Sequence, residues 1–303
     1  MTDKKRTICE NGEKEEMCMN QNLMQNGKRI FVICLLFCLL LAMTGCNQDE
    51  KVLKEAVENL NAAQSMTAES EMEMDMAVGD TTIGMHLTYD QKNIHEPLQC
   101  EMDVVGTIET GGETMDMTNK LYCETVDEKL QVYTQFGGNW YNAGDGSTTS
   151  MAQQFDIAKV MELYVSAMQD FAAAGTETIN GVETTRYEGV LSEEYFKQVL
   201  DESSVLSQIG LSSDIDEDTR KELFTDIGSV PITIWVDTEA ETVMPVQYAF
   251  DMTSMMLSII KKLGGDAMAN VTVEKVYMRM TITGTDNVDS ITIPEEAKNS
   301  SQR

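Results

Sequence analysis

The sequence predicts an α+β protein whose main element is an antiparallel β-sheet. Long stretches alternate apolar and polar residues with a period of two, and two-residue turn signals separate several of them. A few other stretches carry apolar residues at helical spacing. Alternation with a period of two is typical of antiparallel strands that have one face in the core and one face in water. The sheet is therefore expected to be covered by helices on one face only.

The first element is a predicted amphipathic helix over residues 50–66. Its apolar positions recur every three or four residues, at Leu53, Ala56, Val57, Leu60 and Ala63. The period then changes to two. Ser70 to Val78 alternates with acidic residues, Gly79-Asp80 forms a turn, and Ile83 to Tyr89 continues the alternation with His86 on the polar face. We expect the helix to cover the apolar face of these two strands.

A third and a fourth strand, Leu98 to Glu109 and Met115 to Cys123, flank the two-residue hairpin signal Gly111-Gly112. Pairing across this turn places Cys100 directly opposite Cys123 on the apolar face. Opposed strand residues lie about 4.5–5.5 Å apart at Cα, within reach of a disulfide. In an exported protein a disulfide is the expected state, and two buried free thiols are the alternative. Alkylation of the unfolded protein with and without reductant distinguishes them.

The middle of the chain continues with another hairpin and then a helix. Lys129 to Phe136 and Asn139 to Asn142 flank Gly137-Gly138. In the predicted helix that follows, one face is formed by Phe155, Val160, Leu163, Ala167 and Phe171. This helix is predicted to end at Gly175. A strand hairpin over Thr176 to Val190 turns at Asn180-Gly181, and two further helical regions start at Ser192 and Asp214.

The last part of the chain returns to strands. Val230 to Asp237 and Val246 to Met252 alternate as partners, and Met255 to Leu263 is a short apolar helical segment. The final long strand is Val271 to Gly284, whose alternation changes phase near Glu274-Lys275 and so predicts a β-bulge. Ile291 to Pro294 closes the predicted fold.

The N-terminal part predicts export. Lys28-Arg29 precede the apolar run Ile30 to Met43, which is shorter than the roughly 20 residues that span a membrane. Ala42-Met43-Thr44-Gly45-Cys46 resembles the lipobox of bacterial lipoproteins, in which the cysteine is lipidated and becomes the first residue. An ordinary short membrane segment is the alternative. Translation from Met17, Met19 or Met24 would give an n-region of ordinary length.

These predictions divide the chain into four parts. A signal peptide covers 1–45, the lipidated cysteine and a tether cover 46–50, the folded domain covers 51–295, and a tail covers 296–303. The protein is expected outside the cytoplasm, held by the lipid on Cys46 in the outer leaflet of the cell membrane. Two or three acyl chains are enough for stable anchoring, whereas one is marginal.

Composition excludes several classes of function. The net charge of −29 argues against nucleic acid as a partner and fits a protein that stays soluble in the envelope, with an acidic binding face as the alternative. Two histidines make a histidine-rich metal site improbable. The chain lacks a Gly-x-Ser-x-Gly elbow, a phosphate loop, a dinucleotide fingerprint and a His-Glu-x-x-His helix. We therefore expect no enzymatic activity, no cofactor and no resident metal.

The strand pair from Val230 onward resembles the envelope lipoprotein-carrier superfamily, which includes LolA, LolB and the LppX/LprG-type lipoproteins. The resemblance rests on Pro231 to Asp237 followed by Pro245-Val246, on Ile179 to Val182, on the Phe136 to Tyr141 hairpin with its tryptophan, and on Ile291 to Pro294. It implies a strongly curved antiparallel sheet, an unclosed β-barrel, with helices packed on its concave side. Several members of this superfamily carry acyl chains between sheet and helices.

Methionine is the most unusual feature of the apolar strand faces. Flexible, polarizable thioethers suit a surface that adapts to varied apolar partners, so these residues are candidates for a ligand cavity, and plain core packing is the alternative. The candidates are Met72, Met74, Met76, Met85, Met102, Met115, Met117, Met278 and Met280.

Two short repeats have metal alternatives. Stacked sulfurs in Met72-x-Met74-x-Met76 would suit Cu(I), although amphipathic alternation explains the same residues. Asp214-x-Asp216-x-Asp218 is similar to the start of a calcium loop, but Thr219 and Thr225 stand where an EF-hand has Gly and Glu, which favours a helix start.

The sequence thus supports two hypotheses. The first is a lipid-anchored protein that binds or carries an acyl chain or lipid at the outer face of the cytoplasmic membrane. The second is an envelope interaction lipoprotein whose core is fully packed. Room for a hydrocarbon chain between the helices and the sheet distinguishes them.

Overall fold

One antiparallel sheet organises the part of the chain that this computed structural model describes, which is residues 48–127, 129–146, 156–192, 225–226, 228–264 and 270–300. The strands within these residues are β1 (Ser65–Val78), β2 (Thr81–Ile94), β3 (Gln99–Thr110), β4 (Glu113–Val126), β5 (Lys129–Phe136), β6 (Asn139–Gly146), β7 (Met168–Ile179), β8 (Val182–Leu191), β9 (Val230–Asp237), β10 (Met244–Asp251) and β11 (Val271–Thr285). The helices are α1 (48–62), α2 (Ile157–Ala167), α3 (Thr253–Gly264) and α4 (Glu295–Lys298).

The eleven strands are ordered β6-β5-β4-β3-β2-β1-β11-β10-β9-β8-β7, so β6 and β7 form the two edges of a curled, unclosed sheet. This confirms the predicted fold class. The predicted signal peptide with Cys46, the two helical regions between 193 and 224, and the Asp214 repeat lie outside the described residues. No helix among the described residues is both long and apolar enough to cross a membrane.

The predicted hairpins and the bulge are confirmed. Asn180 and Gly181 adopt φ values of 50° and 85°, the left-handed pair that a tight two-residue hairpin requires. In β11 the pairing passes from Asp75 opposite Lys275 to Met76 opposite Val273, which leaves Glu274 as the extra residue of the bulge.

The register of β3 and β4 places Cys100 directly opposite Cys123, as predicted. Both residues are fully buried and carry free thiols in this structure. A hydrogen bond to Cys123 and burial hold the pKa of the Cys100 thiol far above its ordinary value. Such a thiol reacts slowly while the protein is folded. The disulfide stays a prediction.

The predicted length of the helix around Val160 was wrong. The helix ends at Ala167, and Met168 already has an extended backbone and begins β7. Leu163 is 37% exposed, and Phe171 lies in β7. Gly175 is no helix stop but lies in an irregular part of β7 with a φ of +114°. Pairing with β8 overrides the helix propensity of the alanine-rich segment 172–174. The first helix likewise ends at 62, because β1 begins at Ser65.

The main core lies on the concave face. Leu53 and Leu60 of α1 and Met161 of α2 pack there against buried residues of β9, such as Ile232 and Ile234. α3 packs on the same face, against the valines of β11. A smaller cluster on the opposite face joins Tyr122 and Tyr133 to the C-terminal segment through Ile291 and Ile293. Helices therefore cover the concave face, and the C-terminal segment covers part of the convex one.

Candidate ligand cavity under α2

Helix α2 begins at a side-chain cap. Asp156 Oδ1 accepts hydrogen bonds from the backbone N–H groups of Ala158 and Lys159, at 3.1 and 3.2 Å. The same oxygen lies 2.9 Å from Nδ1 of His95, whose side chain is only 11% exposed. The start of α2 therefore covers His95. His86 is exposed on the polar face, as predicted.

A cavity of about 290 Å³ lies between one side of α2 and the sheet. Ile157, Val160 and Tyr164 of α2 form its roof, at positions three and four residues apart and so on one side of the helix. The floor comes from five strands and is formed by Ser70, Tyr89, Gln91, Met102, Tyr248, Met278 and Met280. The volume is just below the roughly 300–1,000 Å³ that is usual for small-molecule pockets.

Aromatic rings hold the roof above the floor. The ring of Tyr164 meets those of Phe250 and Tyr248 edge-on, with centroids 4.6 and 5.7 Å apart. Tilted aromatic pairs of this kind contribute about 0.5–1.5 kcal/mol beyond the area that they bury. Because Tyr164 contacts the sheet beside the cavity, α2 is held there without filling the space under Val160.

The cavity is uncharged. No Asp, Glu, Lys, Arg or His is among its described lining residues. Burial raises the pKa of Tyr164 to about 12 and raises the pKa of Tyr89, so both phenols stay neutral at physiological pH. The phenol of Tyr248 donates a hydrogen bond of 2.8 Å to Sδ of Met280, and that of Tyr89 donates one of 3.7 Å to Sδ of Met72. The lining can therefore bind an apolar, uncharged ligand.

Three of the nine candidate methionines, Met102, Met278 and Met280, line this cavity. Met74 and Met76 instead pack beside α3 against the valines of β11, which fits the amphipathic interpretation of the Met72 to Met76 repeat. Met72 contacts Tyr89. Five of the nine candidates thus lie in two places, beside α2 and beside α3.

The predicted burial of the methionines holds only in part. Met280 is buried at 7% exposure, whereas Met115 is 62% exposed and Met85 and Met117 are half-buried. Met115 lies close to the β3–β4 turn, beyond the residues that the described helices cover. A row of cross-strand neighbours, Met74, Met85, Ile108 and Met115, continues the apolar concave face from α3 to that turn.

A larger cleft of about 1,010 Å³ lies at the start of α2 and is polar. His95, Asp156, Lys159, Asp286 and Asp289 are among its lining residues. Within the described residues, no group of three or more His, Cys, Asp or Glu side chains is arranged to hold a metal ion. We take the smaller cavity as the candidate site because apolar walls with a few polar groups are typical of ligand pockets.

The chain was compared with known proteins. A family model described as a family of unknown function, DUF6612, matches residues 48–302. No curated protein matches the chain.

Among solved structures, LprF from Mycobacterium bovis is similar at 14% identity with a TM-score of 0.45, over 83% of this chain and 98% of LprF. The lipoprotein LppX from Mycobacterium tuberculosis is similar at 14% identity with a TM-score of 0.40, over 80% of this chain and 97% of LppX. A DUF1329 family protein from Desulfovibrio piger matches at 11% identity with a TM-score of 0.25, over 80% and 94% of the two chains. Such distant similarity identifies no ligand.

Proposed function

The chain belongs to DUF6612, a family of unknown function, and we propose that it is a lipid-anchored surface protein that binds the hydrocarbon part of a lipid under α2. The observation that carries this proposal is the uncharged cavity of about 290 Å³ with its three methionines. A fully packed interaction protein would leave no such space between helix and sheet.

The methionine lining supports a ligand that is apolar and varied. Met102, Met278 and Met280 come from two strands on either side of Ser70 and Tyr89, so thioethers contribute to both sides of the floor. An unbranched thioether changes rotamer at little cost, and it therefore fits chains of different shape. The described lining contains no carboxylate, imidazole or thiol, which supports binding rather than catalysis.

The proposed location is the outer face of the cytoplasmic membrane. The lipobox-like sequence before Cys46 supports a lipid anchor, and the acidic composition supports a body that does not adhere to anionic lipid headgroups. Tethering at the membrane would keep the cavity close to a source of lipid.

Filling the cavity tests the proposal. We expect the delipidated protein to bind the neutral apolar dye N-phenyl-1-naphthylamine, and Ser70→Leu to weaken that binding at least about tenfold, because the larger side chain occupies the space under Val160. Thr88→Leu is the matched control, since Thr88 is exposed on the opposite face of the neighbouring strand. Dye fluorescence titration gives the affinities, and circular dichroism checks that the variants fold.

Two results would count against the proposal. A wild-type protein that binds no dye would favour the interaction protein with a packed core. Equal dye affinity of the wild type and a folded Ser70→Leu variant would place the dye elsewhere on the protein. If Ser70→Leu does not fold, Val160→Phe fills the same space from the roof.

A further inference from the structure

The floor of the cavity contains a buried hydroxyl group without a partner. Ser70 is 3% exposed, and its Oγ has no hydrogen-bond partner in the protein. It stands between Tyr89 of β2 and Met280 of β11, which are its direct cross-strand neighbours. A buried hydroxyl that makes no hydrogen bond has lost its interactions with water without replacing them, which destabilises the protein. The hydroxyl therefore favours a ligand that supplies the missing hydrogen bond.

The other polar groups of the floor are already engaged. The phenols of Tyr89 and Tyr248 donate to methionine sulfurs, and Gln91 interacts within the protein. Among the described residues of the floor, Ser70 is thus the one whose polar group makes no hydrogen bond within the protein. Its hydroxyl can both donate and accept, so it can pair with an alcohol or with a carbonyl oxygen.

Charge restricts the ligand further. No cationic side chain is among the described lining residues. An ionised carboxylate or phosphate placed beside Ser70 would be buried without a counter-charge, which costs far more than one hydrogen bond returns. The oxygen that meets Ser70 must therefore belong to a neutral group.

We propose that Ser70 hydrogen-bonds a neutral oxygen of the bound lipid, and that the cavity selects hydrocarbon chains bearing an alcohol or ester oxygen. Plain hydrocarbon and ionised fatty acids bind less tightly. This inference rests on the proposed function, because it names the chemical class that the same cavity takes.

Displacement of N-phenyl-1-naphthylamine from the delipidated full-length mature protein tests the inference. The competitors are dodecan-1-ol, 1-chlorododecane and dodecanoate at pH 8, below their aggregation limits. We expect dodecan-1-ol to bind about tenfold more tightly than 1-chlorododecane, since one satisfied buried hydrogen bond is worth about 1.4 kcal/mol. Dodecanoate should be the weakest of the three. Methyl dodecanoate is a fourth competitor that carries an ester oxygen, and its affinity should be similar to that of dodecan-1-ol.

Three variants make the result specific to Ser70. Ser70→Ala should bring the affinities of dodecan-1-ol and 1-chlorododecane together, and Ser70→Thr should keep the preference because it keeps a hydroxyl. Thr88→Ala is the control, because it removes a hydroxyl from the opposite face, where Thr88 donates to the carbonyl of Val105. It should leave the preference unchanged.

The outcomes separate this inference from the proposed function. If the wild type binds the dye but takes dodecan-1-ol and 1-chlorododecane equally, or takes dodecanoate best, the cavity binds lipid and the role of Ser70 is wrong. If the Ser70→Ala variant still prefers dodecan-1-ol over 1-chlorododecane, the role of Ser70 is likewise wrong. If the wild type binds no dye, both the proposed function and this inference are wrong.

Discussion

Gly106→Ala is expected to lower the free energy of unfolding by about 3 kcal/mol. The added methyl group would overpack the sheet against backbone atoms that cannot move aside. A Cβ at this position in β3 would overlap the carbonyl oxygen of His86 and lie 2.7 Å from Leu87 Cδ2 and 2.9 Å from Leu87 Cα. Two of these three atoms are backbone of β2. Urea unfolding followed by circular dichroism measures the loss.

Gly84→Ala is the matched control for that substitution. Gly84 lies in β2, and the nearest atom to its added Cβ would be Asp75 Oδ1 at 3.5 Å, an ordinary contact. Alanine there should change the free energy of unfolding by less than about 1 kcal/mol. Part of that change is stabilising, because alanine reduces the conformational entropy of the unfolded chain. If the two variants are equally stable, the close approach of β2 and β3 at Gly106 does not constrain the sheet.

Cys46→Ala is expected to abolish fatty-acid attachment completely. A lipid-anchored protein carries its acyl chains on this sulfur, and alanine offers no acceptor. Cells grown with an alkyne-tagged palmitate should yield labelled wild-type protein and an unlabelled variant that keeps its signal peptide and is correspondingly heavier by mass spectrometry. Cys38→Ala is the control, since Cys38 lies within the apolar run before the lipobox-like sequence and should leave labelling intact. Label that persists in Cys46→Ala, or that disappears in Cys38→Ala, would contradict the anchor.

Strand pairing could be predicted from the sequence because it depends on local signals. The Gly111-Gly112 turn has two residues and the strand period is two, so the partner of Cys100 follows from the position of the turn alone. The bulge at Glu274 could be predicted from a similar local signal, a change of phase in an otherwise regular alternation of apolar and polar residues.

Helix limits were less predictable because distant partners decide them. The segment from Met168 to Gly175 has residues that favour a helix, yet it pairs with β8 and becomes a strand. Leu163 consequently faces solvent, while Val160 and Tyr164 face the sheet. The start of α2 also buries His95 against Asp156, a contact between residues far apart in the chain.

Of the residues that line the cavity, only the methionines Met102, Met278 and Met280 were candidates from the sequence. Its roof and floor meet through Tyr164 and Tyr248, whose contact depends on the tertiary position of α2. The one local signal was Ser70, a hydroxyl residue in the phase of β1 that is otherwise occupied by apolar residues, mostly methionine. A polar residue on the buried face of a strand is therefore worth examining as part of a ligand site.

The most direct test of lipid binding under α2 is photolabelling with a diazirine-bearing fatty alcohol, followed by peptide mapping. We predict that the label concentrates on the peptides that contain Val160 and Tyr164 of α2 and Met278 and Met280 of β11, and that unlabelled dodecan-1-ol competes it away. Label spread over the exposed surface, or insensitive to the competitor, would contradict a lipid site in this cavity.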